Sequence, residues 1–246
     1  MRAIILSAGQ GKRLLPLTEN KPKCLVEVNN RTILEWQLDT LLSAGIEDFT
    51  IITGFQSRKV EDLILNKYKS YRIECVYNPF YSVSDNLASC WLAREKFYNE
   101  FLIINGDDIF ETDLIKKLLL SKMAPVTVAV NIKEIYDKED MKVIFNKKDS
   151  RLLRVGKDIE CLDATGEAIG IHLFRGIGAN FFRKKVEELM REEKALKMWY
   201  LSAINSLANE IEIFVCNVTG CNWSEIDFVE DLTKAKEIVK SFTNIS

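Results

Sequence analysis

Short apolar runs alternate with longer amphipathic stretches along this chain. Ala3–Leu6, Phe49–Thr53, Ile73–Tyr77, Phe101–Ile104 and Val126–Val130 read as buried strands, rich in Ile, Val and aromatic residues. Between them, Ile33–Ser43, Arg58–Tyr68, Asn86–Phe97 and Leu114–Leu120 carry helical spacing. Repeated strand–helix–strand order predicts βαβ units on a parallel sheet, and right-handed crossovers make that a doubly wound α/β sheet. The second half is mixed. Strands are expected near Met141–Phe145, Ile169–Phe174 and Glu212–Cys216, and helices near Phe181–Glu192, Leu201–Ala208 and after Asp227. No proline-rich linker or low-complexity segment interrupts the pattern, which predicts one domain over 1–246 with a mixed α+β lobe in its second half.

The first strand runs into Ser7-Ala8-Gly9-Gln10-Gly11-Lys12-Arg13-Leu14. Two glycines after a strand let backbone N–H groups approach a phosphate, and Lys12 and Arg13 add charge where an anion would sit. The C-terminal edge of a strand in an open α/β sheet is where ligands bind. The loop lacks the Walker G-x-x-x-x-G-K-[ST] spacing and the third glycine of the dinucleotide fingerprint. Taken alone, it is equally compatible with a plain glycine turn.

Pro16-Leu17-Thr18 and Lys21-Pro22-Lys23 follow. A strand, a G-x-G-x-R loop, P-L-T and K-P-K together resemble the sugar-phosphate and alcohol-phosphate nucleotidyltransferase family, of the glycosyltransferase-A-like fold. The resemblance implies transfer of a nucleoside monophosphate from an NTP to a phosphorylated acceptor, with release of pyrophosphate and with Mg²⁺ as cofactor. It implies that Arg13, with Lys12, holds the β- and γ-phosphates and that Lys23 faces the α-phosphate or the acceptor phosphate. The chain departs from many relatives at Lys12, where they carry a small hydroxyl residue.

Two acidic elements stand out. Phe101–Ile104 leads into Asn105-Gly106-Asp107-Asp108, and Trp223-Ser224-Glu225-Ile226-Asp227 precedes Glu230-Asp231-Leu232. Carboxylates at a buried strand end are placed for Mg²⁺, though a Gly-Asp turn also occurs without one. Asp227 could equally cap the last helix. The resemblance makes Asp107 and Asp227 the metal ligands, with Asp108 a weaker candidate, and the catalytic set becomes Arg13, Lys23, Asp107 and Asp227. An acceptor phosphate is already ionised, so positioning and electrostatics would carry the reaction without a general base.

Asn86-Leu87-Ala88-Ser89 stands where sugar-phosphate thymidylyl- and uridylyltransferases usually carry a Gly-Thr-Ala element. It is similar to the branch containing bacterial phosphocholine cytidylyltransferases and related CTP-dependent enzymes. The expected nucleotide contacts are Leu6, Ala8, Gly9, Gly11, Lys12, Arg13, Asn86, Ser89, Gly106 and Asp107, mainly within 1–125. Helix capping by Ser84 or Asp85 is the plainer reading of the 84–89 segment. The expected acceptor contacts are Lys23, Lys142, Lys157, Glu167 and Trp199, with 126–246 supplying most of them and the second metal aspartate. Trp199, Tyr200 and Trp223 are by base rate core residues, and a cation-binding cage is the alternative.

Composition narrows the field. Of 246 residues, 47% are hydrophobic and 28% charged, and the net charge of −2 offers no field for nucleic acid or an acidic membrane. Six cysteines without a C-x-x-C pair and a single histidine, His172, argue against zinc and suit a reducing, cytoplasmic setting. No run is long enough to span a membrane. A homo-oligomer is compatible with the sequence. The expected function is a Mg²⁺-dependent cytidylyltransferase acting on CTP and a small phosphorylated alcohol such as phosphocholine or inositol 1-phosphate. The alternatives are a sugar-1-phosphate uridylyl- or thymidylyltransferase, a non-catalytic nucleotide-binding module, and a glycosyltransferase. Asp107-Asp108 is not the D-x-D expected of the last.

Overall fold

The computed structural model describes residues 1–242. In chain order its elements are β1 (Arg2–Ser7), β2 (Glu27–Val28), β3 (Arg31–Thr32), α1 (Ile33–Ser43), β4 (Asp48–Thr53), α2 (Ser57–Lys67), β5 (Arg72–Tyr77), α3 (Asn86–Ala93), β6 (Glu100–Asn105), β7 (Asp108–Phe110), α4 (Thr112–Leu119) and β8 (Val126–Asn131). They continue with β9 (Lys142–Phe145), β10 (Leu152–Gly156), β11 (Gly166–Arg175), α5 (Ile177–Leu189), α6 (Leu201–Leu207), β12 (Ile213–Asn217), β13 (Trp223–Glu225) and α7 (Asp231–Ile238). Contacts divide the chain into two compact units. The first holds Met1–Val83, Ile104–Lys116 and the chain from Cys221 onward; the second holds Ser84–Ile103 and Lys117–Gly220. Each unit draws on more than one stretch of the chain, which passes between them more than once.

In the first unit, β1, β4 and β5 pair in parallel, with Leu6 opposite Ile52 and Ile52 opposite Val76. Every residue of β1 is buried, which is why it reads as an unbroken apolar run rather than an alternating one. The helix α1 starts at a capping box. The Thr32 hydroxyl accepts from Glu35 N at 3.2 Å, and the Glu35 carboxylate accepts from Thr32 N at 2.8 Å. Only one face of α2 is apolar, and it buries Val60 and Ile64.

In the second unit, β8 lies between β11, antiparallel, and β12, parallel, while β9 pairs antiparallel with both β10 and β11. All of β11 is buried. Phe97, Phe101, Phe174 and Phe182 form a chain of ring contacts with centroids 4.4–5.2 Å apart, so α5 is seated on aromatic rings.

The strands expected from apolar runs start and end within one residue of the observed ones through β8, whereas β11 extends beyond Ile169–Phe174 to Gly166–Arg175. The helix expected over Asn86–Phe97 ends as an α-helix at Ala93 and finishes as a 3₁₀ turn over Arg94–Lys96. Among the described residues no helix is long and apolar enough to cross a membrane.

His172, on β11, is fully buried, with its ring 5.6 Å from that of Tyr200. Burial holds its pKa down at about 3. A folded-state pKa below the unfolded one means that His172 takes up a proton on unfolding. Its contribution to stability is complete above about pH 7.5 and declines as pH falls toward 3. Between about pH 7.5 and 5 this should remove about 2 kcal/mol of stability, the slope approaching about 1.4 kcal/mol per pH unit below pH 6. Urea titrations of wild type and His172→Gln should show the steeper acid dependence in the wild type, and parallel curves would refute the assignment.

Candidate active site

Three separate stretches of the first unit, around 13–23, 107 and 227, carry the charged residues of the site, and one apolar cluster gathers them. Leu14, Val26, Ile109 and Ile226 are buried together with Ile33, Trp36, Leu232, Ala235 and Val239. Arg13 precedes Leu14, Lys23 lies three residues before Val26, Asp107 lies two before Ile109, and Asp227 follows Ile226. Each polar group is thus held at the rim of the cluster by a buried neighbour in sequence. Trp36 reinforces it by donating from Nε1 to Val28 O at 2.8 Å.

The carboxylates meet through a short antiparallel ladder. β13 pairs with β7, Glu225 lies opposite Asp108, and Ile226 N donates to Asp107 O at 3.1 Å. Gly106 N donates to Leu6 O at 3.1 Å, and a Cβ at Gly106 would come within 2.6 Å of Leu6 O. Only glycine lets this turn lie against the end of β1. Buried Gln37, on α1, ties the turn from the other side by donating to Asn105 O and Asp108 O at 2.7 and 2.8 Å. Asp107, Glu225 and Asp227 each present a carboxylate oxygen within 4.8 Å of the others. Asp108 does not join them. It is buried, and burial first, then the charges of Asp107 and Glu225, push its pKa well up.

Two basic side chains answer this charge. Lys23 Nζ donates to Asp107 Oδ2 at 2.6 Å and to Asp227 Oδ1 at 2.5 Å. Arg13 Nη2 lies 2.7 Å from the other Asp227 oxygen, with its guanidinium 4.9 Å from the Phe228 ring centroid. Burial works to lower the Lys23 pKa, but the charges of Asp107 and Asp227 outweigh it and the ammonium is held firmly charged. The glycine loop is shaped around the same lysine. Gly11 has φ +75°, and a Cβ there would stand 2.9 Å from Lys23 Cβ. Thr18, fully buried, fastens the loop by donating to Gly11 O at 2.7 Å. Lys12 and Gly9 are exposed, while Leu6 and Ala8 are buried at the end of β1.

The donor set suits a hard divalent cation. Carboxylate oxygens converge from separate segments, and Asp107 Oδ1 is buried without a hydrogen-bond partner. Asp227 is not a helix cap, since α7 begins at Asp231. Asp231, which the sequence reading left without a role, accepts from Asp227 N and Phe228 N at 2.9 and 2.7 Å and sets the turn that aims Asp227. Glu225 was likewise passed over. The signal for both was present in the 225–232 acidic pattern.

The other expected residues belong to the second unit. Asn86 opens α3, and its amide oxygen accepts from Tyr200 N at 2.9 Å. Ser89 is buried on the same helix. Asp85 occupies the N-cap position without a side-chain capping bond. Lys142 is buried, and its ammonium donates to Asp137 O, Lys138 O and Asp140 O at 3.3, 3.0 and 3.2 Å, so it binds a turn of its own chain. Glu167 is paired with Lys133 at 2.8 Å. Lys157 Nζ lies 5.2 Å from the Trp199 ring centroid and 2.9 Å from Glu139 Oε2. Trp199 is partly exposed and Tyr200 is buried.

A glycine loop after β1, basic side chains upon it and convergent carboxylates beyond it are the equipment of an enzyme that handles nucleotide phosphates. Residues 2–151 match the family model described as nucleotidyl transferase, and the chain belongs to that family. It is 29% identical to choline-phosphate cytidylyltransferase of Streptococcus pneumoniae, over 98% of this chain and 99% of that protein. It is 25% identical to CTP:phosphoglutamine cytidylyltransferase of Campylobacter jejuni, over 94% of this chain and 98% of the relative. The solved structure of CTP:phosphocholine cytidylyltransferase from Streptococcus pneumoniae is similar with a TM-score of 0.81 at 24% identity, covering 97% of this chain and 98% of that one. That likeness shows a shared mixed, mostly parallel sheet fold.

Asp231→Ala removes two charge-assisted hydrogen bonds and should lower unfolding stability by about 2 kcal/mol. Asp231→Asn keeps an accepting oxygen and should lose less. Urea unfolding of the two variants checks this, and a loss below about 0.5 kcal/mol in the alanine variant, as at an ordinary surface site, would show that the turn does not depend on Asp231.

Proposed function

We propose that this chain is a Mg²⁺-dependent cytidylyltransferase that transfers CMP from CTP to a small phosphorylated alcohol, such as phosphocholine or inositol 1-phosphate, and releases pyrophosphate. The observation that carries this reading is the meeting of Asp107 and Asp227 beside Lys23 and Arg13. Two relatives matched along nearly their whole length bear cytidylyltransferase names, which supports CTP as the donor.

In this reading Asp107 and Asp227 hold Mg²⁺, with Glu225 within reach. When bound, Mg²⁺ neutralises phosphate charge and polarises the α-phosphate. Arg13 grips the pyrophosphate end, where charge grows as the bond to the α-phosphorus breaks, so its contribution is larger in the transition state than in the ground state. Lys23 serves the α-phosphate or the incoming acceptor phosphate. The ionised acceptor oxygen attacks without a base, and the chain's task is alignment. Asn86, its amide oxygen taken by Tyr200 N, retains an NH₂ group that suits the accepting N3 of cytosine and opposes the N3–H of uracil. Lys157, seated against the Trp199 face and paired with Glu139, would offer its ammonium to the acceptor phosphate. Lys142 contributes by shaping the 137–140 turn rather than by touching the acceptor. Six cysteines without a C-x-x-C pair support a reducing, cytoplasmic setting.

Asp107→Asn and Asp227→Asn should each cut turnover by about 10²-fold or more while circular dichroism stays native. Wild-type rates in both, at saturating magnesium and substrate, would sink the metal assignment. In a pyrophosphate-release assay with each NTP at equal concentration, CTP should be preferred over UTP by roughly tenfold or more. One mispaired polar group costs about 1–3 kcal/mol, and each decade corresponds to about 1.4 kcal/mol. A clear preference for UTP or dTTP with a hexose 1-phosphate would overturn the cytidylyltransferase reading.

A further inference from the structure

Lys23 stands where the metal's charge would be needed. Its ammonium bridges one oxygen of Asp107 and one of Asp227 at 2.6 and 2.5 Å, and its side chain is only 12% exposed. Arg13 takes the second oxygen of Asp227 at 2.7 Å. Of the four oxygens on these two carboxylates, three are therefore engaged by basic groups, and the fourth, Asp107 Oδ1, is buried without a partner. A divalent ion ligated by both carboxylates needs their facing oxygens at about 2.0–2.1 Å. An ammonium hydrogen-bonded to those same oxygens excludes it, by occupancy and by like-charge repulsion in a half-buried site.

The stem of the lysine shows how the exchange can occur without disturbing the fold. Gly11, in the left-handed region, leaves room for Lys23 Cβ, Cγ and Cδ, which a Cβ at that position would approach to 2.9–3.2 Å. The stem is thus seated on the phosphate loop near its base, and rotation about its outer bonds moves only the ammonium. A lysine carries enough rotatable bonds for that movement.

We infer that Lys23 is the resident counter-ion of the metal site. It neutralises Asp107 and Asp227 while they hold no metal, is displaced by the divalent ion, and is received by the phosphates of the nucleotide lying over the same loop. This rests on the reading of Asp107 and Asp227 as metal ligands. Metal alone binds weakly because it must evict an ammonium that has nowhere equally favourable to go. Metal and nucleotide together bind well because the phosphates accept that ammonium. The two ligands are then coupled through one side chain, and by linkage each tightens the other by the same factor.

The test uses the full chain and Mn²⁺ as the probe, its binding read from water-proton relaxation. Without nucleotide, Lys23→Met should bind Mn²⁺ at least tenfold more tightly than wild type. A non-hydrolysable CTP analogue should tighten Mn²⁺ binding more in the wild type than in the variant. A second measurement needs no substitution in the observed protein. In ¹⁵N-lysine spectra of the metal-free wild type, the Lys23 ammonium should give a slowly exchanging signal, assigned by its absence from Lys23→Met, and saturating Mg²⁺ should remove or shift it. Equal or weaker Mn²⁺ binding by Lys23→Met, no protected signal, or a signal unmoved by saturating Mg²⁺ would each overturn the counter-ion role. An Asp107→Asn/Asp227→Asn double variant that binds Mn²⁺ as wild type does would instead overturn the metal-site reading on which the inference stands.

Discussion

Two carboxylates can be held side by side and half out of water only if positive charge is held with them. In this protein that condition is met by Lys23, which touches both Asp107 and Asp227, and by Arg13, which takes the outer face of Asp227. The requirement reaches back into the loop, since the stem of Lys23 leaves no space for a side chain at position 11. It also reaches forward into the turn before α7, because Asp227 can meet the lysine only if Asp231 fixes the backbone beneath it. The glycine loop, the lysine and the two acidic turns therefore behave as one electrostatic unit.

What makes that unit affordable is apolar. The cluster around Leu14, Ile109 and Ile226 supplies favourable burial from every segment that contributes a charge. The charged groups lie one to three residues from their apolar anchors, so none has to be buried outright to be positioned. Asp108 is the exception. It falls on the inward side of β7 and is left with a carboxyl that burial drives toward its neutral form.

Much of this could be read from the sequence, and the boundary is instructive. The strands β1, β4, β6 and β8 were legible because they are buried on both faces and read as largely apolar runs. Arg13, Lys23, Asp107 and Asp227 were singled out by the resemblance that their motifs carry, and the structure brings their side chains together. The short strands were not: β7 and β13 have three residues each, too few to show a period, and they form because each is the other's partner. Glu225 is opposite Asp108, a partner distant in sequence, whereas Asp231 bonds amides only three and four residues away and was marked by nothing but its place in the 225–232 acidic pattern. The commitment of the Lys142 ammonium to three carbonyls of the 137–140 turn could not be foreseen either, because a lysine beginning a strand carries no mark that separates a buried one from a solvated one.

The interleaving of the two units has a consequence for biosynthesis. The first unit is begun by the opening 83 residues, resumed at Ile104–Lys116 and completed only from Cys221 onward. A ribosome releases the glycine loop and Lys23 first, Asp107 much later, and Asp227 only after the whole of the second unit has emerged. Until then the lysine has at most one of its two carboxylates, and the strand β7 has no partner. The second unit, whose last long segment closes at Gly220, can compact before the first is complete, so of the two units the one that carries the charged site is assembled later.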